Sequence, residues 1–261
     1  MRVSEVTDLL FERFPRDAAE PWDRPGLSVG DPDARVAGIA CALDATPRTI
    51  RAAHEAGCNV LVTHHPAFLE PPFPVTPDIR DGSIGGSCVW WAARLGVSLV
   101  SMHTNLDRSD AALDLAAELL GLERTGRLFE PDGFGAWLRA AGVTTGELAR
   151  RCRDSFGCAP VVWGQDGRRL ETVAFSSGSF GGFASQAIAR GADLVIVGEA
   201  GYHHLSELAE AGVDAILLGH DASELPYAAL LARTLAAGVT DDTSIEVLDE
   251  GLRWHAWAAE E

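Results

Sequence analysis

The chain has 261 residues, enough for one large α/β domain or two smaller ones with sizeable cores. Its composition, 47% apolar and 23% charged, is typical of soluble globular proteins. No apolar run is long enough to cross a bilayer, and the first residues lack the apolar core of a signal peptide. We therefore expect a cytoplasmic protein without membrane contact.

The charge of the chain excludes several kinds of site. Its net charge is −17, and all 21 basic residues are arginine. Without lysine there is no Schiff base, no lysine general base and no P-loop lysine, and the acidity makes nucleic acid an unfavourable partner. The five cysteines form an odd set without a CxxC pair, which predicts buried free thiols without a functional role.

The first half of the chain predicts strand, helix, strand, helix, strand. The strand candidates are 36–40, which continues to Leu43-Asp44, then 60–63, and a run that ends near His103. The segment 71–86 is rich in proline and glycine and predicts a loop, either a lid over the site or a plain connection. Apolar residues at helical spacing predict a helix over 110–120.

The second half repeats this order, which indicates an internal duplication. A strand at 172–175 ends at Ser177-Gly178, a helix follows, a second strand covers 194–197, and a third ends at His220. Strands joined by crossover helices pair in parallel. We therefore predict an α/β fold with two similar subdomains, 1–129 and 130–261, divided at a turn-rich segment; the C-terminal segment is free to pack back on the first.

Three of the predicted strands end in residues that bind metals. His64-His65 follows the strand at 60–63, His103 and Asp107 follow the next strand, and His220 and Glu224 follow the strand that begins at Ala215. The carboxyl edge of an open α/β sheet is where such proteins bind their ligands. Histidine and carboxylate groups without cysteine predict a metal centre with nitrogen and oxygen ligands.

Each of these segments leaves an alternative open. Neighbouring residues on a strand point to opposite faces, so His64 and His65 can both serve one metal site only if the strand has ended before them. The alternative to a metal-binding pair is one structural histidine. We favour Asp107 as the ligand and His103 as its hydrogen-bond partner or a substrate contact. The alternative for Asp107 is a helix-start carboxylate.

Two further groups have possible roles. The i, i+4 spacing of His220 and Glu224 places both on the first turn of a helix, where a carboxylate can bridge two cations. Glu199 follows the strand at 194–197, and we predict that Glu199 with His203 or His204 acts in proton transfer or substrate binding. The glycine-rich turn at 177–182 could hold an anion, but tight turn geometry is the better explanation for it.

These segments together resemble the NIF-three-like proteins, dinuclear-metal-centre hexamers often named GTP cyclohydrolase I type II homologues. The resemblance includes 22–30, Ala42-Leu43-Asp44, 63–66, 103–107, Gly198-Glu199, Gly219-His220 and Ser223-Glu224. It implies two divalent ions between two similar α/β subdomains of a homohexamer. It also implies that His64, His65, Asp107, His220 and Glu224 are the metal ligands, with Glu224 bridging. Asp221 stands where the family often has an aromatic residue or histidine.

Three functions remain open from the sequence. The first is a metal-dependent hydrolase of a small nucleotide-like or phosphorylated molecule, GTP ring opening included, with His103, His203 or His204 moving the proton. The second is a non-catalytic metal-binding scaffold that acts through protein partners; a metal nuclease ranks last because of the negative charge. Zn, Mn, Fe, Co and Ni all suit such a ligand set.

Overall fold

The computed structural model describes residues 1–239 and 242–253, and its contacts group them into two units. The first unit contains Met1–Ser109 and Tyr227–Glu250. The second unit contains Asp110–Pro226 and the described residues from Gly251 onward.

The first unit is built on a five-stranded sheet in the order β1-β4-β3-β2-β11. Its strands are β1 (Gly26–Val29), β2 (Gly38–Asp44), β3 (Val60–His65), β4 (Ser98–Ser101) and β11 (Ser244–Val247). Only the β1–β4 pair is antiparallel. Because β2, β3 and β4 run in parallel, their carboxyl ends meet at one edge of the sheet.

The central strand β3 is buried on both faces, which explains its unbroken apolar sequence. Val60, Leu61 and Val62 are each fully inaccessible to solvent. A strand covered on both sides loses the alternation of polar and apolar residues. The helices of this unit are α1 (Val3–Arg13), α2 (Pro47–Glu55), α3 (Ile84–Leu95), α4 (Thr104–Asp107) and all but the first residue of α10 (Pro226–Ala236).

A late segment of the chain completes this sheet. β11 pairs in parallel with β2, with Ser244 opposite Gly38. Beyond it, the carboxylate of Glu250 accepts hydrogen bonds from the backbone N–H groups of Leu43 and Asp44. Residues far apart in the sequence therefore fix the carboxyl end of β2 together.

The second unit is built on a six-stranded sheet in the order β5-β6-β8-β9-β10-β7. Its strands are β5 (Glu123–Arg127), β6 (Ala136–Arg139), β7 (Val161–Trp163), β8 (Thr172–Ser179), β9 (Leu194–Glu199) and β10 (Asp214–Leu217). β8, β9 and β10 form a parallel centre, and the outer pairs are antiparallel.

Two apolar cores cover the two faces of this sheet. Along β9, Leu194 and Ile196 belong to one core, whereas Val195 and Val197 belong to the other. This alternation follows from the pleat, which turns successive side chains to opposite faces. The helices of the unit are α5 (Asp110–Leu120), α6 (Thr145–Phe156), α7 (Ala184–Ala189), α8 (Tyr202–Glu210) and α9 (His220–Glu224).

The predicted fold class is confirmed: the protein is a mixed α/β protein with two sheets. The parallel series β2-β3-β4 in one unit and β8-β9-β10 in the other has the order that an internal duplication predicts. The helix expected over 110–120 is α5. The segment 71–86 is irregular except for a short 3-10 helix, Ile79–Asp81, and the start of α3.

The contacts group the chain differently from the predicted subdomains 1–129 and 130–261. The turn at 130–135 joins β5 to β6 within one sheet. Leu113 and Leu120 of α5 pack into the core of the second unit, so residues 110–129 belong with it, while β11 belongs with the first. The last residues of the predicted second subdomain, 254–261, lie outside the described residues. The boundary between the predicted subdomains stays a prediction.

The cysteines are buried and free, as predicted. Burial raises the pKa values of the Cys41, Cys88 and Cys152 thiols to about 12, so these groups stay protonated near neutral pH. Among the described residues, every helix is too short or too polar to cross a membrane.

Shortening Leu61 tests the role of the central strand. We expect Leu61→Ala to lower the free energy of unfolding by about 2–5 kcal/mol, because it leaves a cavity under a fully buried side chain. Ile84→Ala is the control, since Ile84 is 52% exposed and its truncation should change stability by less than about 0.5 kcal/mol. Urea unfolding measures both; equal effects would contradict the burial of β3.

Candidate metal centre

Two adjacent histidines stand at the carboxyl end of β3. His64 is buried, and its Nδ1 lies 3.0 Å from the backbone oxygen of Met102, which follows β4. His65 is half-buried, and its Nδ1 lies 2.7 Å from the Asp44 carboxylate, at the end of β2. The strand extends two residues beyond the predicted 60–63. The rings nevertheless lie together, with centroids 4.9 Å apart.

His103 joins these two histidines from the end of the neighbouring strand β4. Its ring centroid lies 5.2 Å from that of His64 and 5.8 Å from that of His65. One ring nitrogen from each of the three histidines can be chosen so that all lie within 4.8 Å of one another. Three imidazoles at this spacing form a group that could hold a metal ion.

Asp107 closes this group on the side of His64. It ends the short helix α4, and its Oδ1 lies 3.7 Å from His64 Nε2. The structure therefore brings together all four first-unit residues that the sequence selects: His64, His65, His103 and Asp107.

Behind His103 lies a carboxylate to which the sequence assigns no separate role. Asp23 is buried, and one of its oxygens lies 3.1 Å from His103 Nδ1. The other accepts hydrogen bonds from the Thr104 hydroxyl at 2.5 Å and the Thr104 N–H at 3.0 Å. Burial alone would raise the pKa of the Asp23 carboxyl. The hydrogen bonds from His103 and Thr104 together lower this pKa by more than burial raises it, so the pKa lies well below its ordinary value.

His220 and Glu224 form the corresponding pair in the second unit. Both lie on α9, one turn apart, with His220 Nε2 3.1 Å from the Oε2 of Glu224. His220 Nδ1 lies 3.0 Å from the carboxylate of Glu199, the last residue of β9. Glu224 is buried, whereas His220 and Glu199 are partly exposed.

The glycine-containing end of β8 packs against this pair. Gly178 has a φ of +59°, and a Cβ built there would lie 2.2 Å from Glu224 Oε1. Its N–H donates to the Ser223 hydroxyl at 2.9 Å. The predicted turn at 177–182 therefore begins inside β8, and Gly178 has a packing reason there, since a larger residue would displace Glu224.

One orientation is shared by His64, His65, His103 and His220. Each has its Nδ1 within hydrogen-bond distance of an oxygen, a carbonyl for His64 and a carboxylate for the others. A carbonyl or an ionised carboxylate only accepts hydrogen bonds, so Nδ1 carries the proton. In a neutral ring Nε2 then presents its lone pair, which is the arrangement of metal-binding histidines.

The distance within the second-unit pair also fits a metal ion. A lone pair on His220 Nε2 and the Glu224 carboxylate repel each other at 3.1 Å unless a cation or a proton lies between them. Two donor atoms at about 2.1 Å from one ion lie roughly 3–3.5 Å apart at near-tetrahedral angles. The donor chemistry and this spacing suit a divalent ion.

His203 and His204 are the two remaining histidines that the sequence analysis selects. Both are on α8; His203 is exposed and packs edge-on against Tyr202. Neither belongs to a potential ligand group within the part of the chain that the structure describes. Their predicted role in proton transfer stays a prediction.

Comparison with known proteins identifies the family. The family model Duf34/NIF3, described as NGG1p interacting factor 3, matches residues 1–250. The chain belongs to this family.

Several relatives of the Duf34/NIF3 protein match it along most of their length. A GTP cyclohydrolase 1 type 2 homolog of Clostridium acetobutylicum is 28% identical over 90% of each chain. A protein of the same name from Streptomyces coelicolor is 30% identical over 90% of this chain and 85% of its own. A Bacillus cereus protein related to NIF3 has a TM-score of 0.87 at 17% identity over 99% of each chain, which shows the shared fold.

Two carboxylates that orient histidines escaped the sequence analysis as site residues. Asp44 ends a predicted strand and could have been found by the rule that selected His64. Asp23 follows no strand and lies 80 positions from His103, so no local spacing connects them. The sequence signal that includes Asp23 is the segment 22–30, which belongs to the family resemblance.

Replacing Asp23 by asparagine tests the buried network. A carboxyl with a lowered pKa stabilises the fold above its ordinary pKa of 3.8 and loses that contribution as the pH falls toward the folded-state value. We therefore expect Asp23→Asn to lower the free energy of unfolding by about 1.5–3 kcal/mol at pH 7, and by less at pH 3.

Urea unfolding of metal-free protein at the two pH values measures this difference. Asp33→Asn is the matched control, since the Asp33 side chain is 74% exposed and should contribute within about 0.5 kcal/mol. A loss that is equally large at pH 3 would show that the charge of Asp23 contributes nothing.

Proposed function

We propose that this Duf34/NIF3 protein is a metal-dependent hydrolase of a small nucleotide-like or phosphorylated molecule. The observation that carries the proposal is the shared orientation of four histidines, each with Nδ1 held by an oxygen. Second partners of this kind are what fix the Nε2 atoms of metal ligands in enzymes. Structural histidines on a surface need no such support.

The proposed ligands are those that the sequence selects. They are His64, His65 and Asp107 in the first unit and His220 and Glu224 in the second. That all five hold one dinuclear centre, with Glu224 bridging, stays a prediction from the resemblance. A divalent ion held by such groups polarises a substrate oxygen and makes a water molecule more acidic.

His103 is the residue proposed to move a proton. Asp23 holds its Nδ1, so Nε2 is the atom that can take a proton from water or give one to a leaving group. The same hydrogen bond stabilises the imidazolium while the proton resides there. This arrangement supports hydrolysis over simple metal storage, which requires no ordered proton acceptor.

The names of the relatives support a cyclohydrolase as one candidate reaction. The Clostridium acetobutylicum and Streptomyces coelicolor proteins are named as homologs of GTP cyclohydrolase 1 type 2. Opening of a purine ring requires an activated water and a proton donor, which the proposed site can supply. The homohexamer implied by the resemblance and the cytoplasmic location expected from composition accompany this proposal as further expectations.

Metal analysis tests the ligand set. We expect the purified and reconstituted wild-type protein to hold two divalent ions per chain. The variants His64→Ala and His220→Ala should each bind less metal, because each substitution removes an imidazole ligand. Elemental analysis by mass spectrometry measures the content. His54→Ala is the control, since His54 is exposed on α2 and has no predicted role.

The outcomes separate the two ligand groups. Loss of metal in His64→Ala alone would remove His220 and Glu224 from the ligand set. A wild-type content of one ion per chain would contradict the dinuclear centre. No bound metal in folded protein under any loading condition would overturn the proposed function.

An activity screen tests the hydrolase. We expect metal-loaded protein to turn over at least one member of a panel of nucleotides, phosphoesters and cyclic amides. Glu224→Gln should reduce that rate by about 100-fold or more, because it removes a charged ligand while keeping the shape of the side chain. Full metal content with no turnover of any compound, and partner binding that survives ligand mutation, would favour the non-catalytic scaffold.

A further inference from the structure

A cavity lies in the second unit at the carboxyl ends of two parallel strands, β9 and β10. Its volume is about 340 Å³, which is enough for a one- or two-ring molecule. Its apolar walls include Val161 of the edge strand β7, Leu217 of β10 and Leu252. His220, a proposed metal ligand, forms part of its lining. This is the edge of a parallel sheet where α/β proteins bind small molecules.

Two carboxylates give the lining a negative charge. Glu199 and Asp221 both line the cavity, and no arginine is among its described lining residues. Asp221 is fixed in place: its carboxylate accepts hydrogen bonds from the backbone N–H groups of Ala222 at 2.9 Å and Arg253 at 2.8 Å. Since the chain has no lysine, no flexible ammonium group can neutralise them.

This charge determines which ligands fit. A phosphate or carboxylate would lie beside the carboxylates of Glu199 and Asp221, with no arginine or lysine in the described lining to bind it, which is unfavourable. A planar ring without negative charge can instead bury its faces against Val161 and Leu217. Its N–H groups can donate to the free lone pairs that a carboxylate keeps after accepting two hydrogen bonds.

We propose that this cavity binds a planar, uncharged or cationic ring that carries N–H donors, and that it rejects anions. The inference deepens the proposed function, on which it rests for the identity of the ring as part of the substrate. It places the ring beside His220. If the substrate is phosphorylated, its phosphate lies outside this cavity.

Three probes of equal size separate charge from shape. Benzamidine is a planar cation with N–H donors, benzamide is its neutral counterpart, and benzoate is a planar anion. We expect affinity to fall in that order, with benzamidine at least about fivefold tighter than benzoate, as one partly exposed charge pair predicts. The full chain is first treated with a chelator and then titrated with each probe. Ligand-observed NMR monitors the titration, so the three affinities are measured without a contribution from bound metal.

Variants locate the binding. Leu217→Trp fills the cavity and should abolish benzamidine binding; Val161→Trp gives the same test at a position that is 65% exposed and therefore tolerant of change. Val247→Trp, on β11 of the first unit, is the matched control and should bind like the wild type. Asp221→Asn should weaken benzamidine by about fivefold and leave benzamide unchanged.

Each outcome decides the proposal. Benzoate binding as tightly as benzamidine, or benzamidine binding that persists in both Leu217→Trp and Val161→Trp, would overturn it. Because the titration uses metal-free protein, its failure leaves the metal analysis untouched, and failure to bind metal leaves the cavity result intact.

Discussion

The hydrogen bond from imidazole Nδ1 to a fixed oxygen is the interaction on which the candidate site depends. It decides which ring nitrogen is exposed to a ligand, and it comes from the ends of neighbouring strands. Asp44 of β2 stands opposite His65 in the strand register, and Met102 follows β4 beside His64. A slip of one residue between these strands would turn the side chains to the other face and break both contacts.

The same logic operates in the second unit with different residues. Glu199 ends β9 and holds His220, which begins α9 just after β10. Parallel pairing brings these ends to one edge, and Gly178 leaves room for Glu224 beside them. The unit therefore uses sheet geometry to orient an imidazole and the absence of a side chain to accommodate a carboxylate.

Much of this arrangement could be predicted from the sequence because it depends on local patterns. The apolar runs before His64, His103 and His220 have the length and composition of buried strands, and a residue that follows such a run must lie at the sheet edge. The helix α5 was predicted with its observed bounds from apolar spacing and the glycine after it. Such features need only a few neighbouring residues.

What could not be predicted depends on distant partners. Asp23 reaches His103 across 80 positions without a periodic pattern that connects them. The C-terminal segment was expected to be free to pack back on the first subdomain, but no local pattern indicates that its strand β11 pairs with β2, about 200 positions away. The grouping of α5 with the second unit depends on distant residues in the same way: an apolar helix face indicates burial but not the core that receives it. The extension of β3 through His65 was missed because strand ends carry little local information.

The pairing of β11 with β2 has a consequence for the order of assembly during synthesis. The second unit draws almost all its described residues from one continuous stretch, so it can form while the ribosome is still adding residues. The first unit cannot, because its sheet lacks an edge strand, and the backbone at Asp44 lacks the Glu250 acceptor, until residue 250 has emerged. The carboxylate that aims His65 is thus secured only after residue 250 has been synthesised, whereas Met102 and Asp23, which hold His64 and His103, come much earlier in the chain.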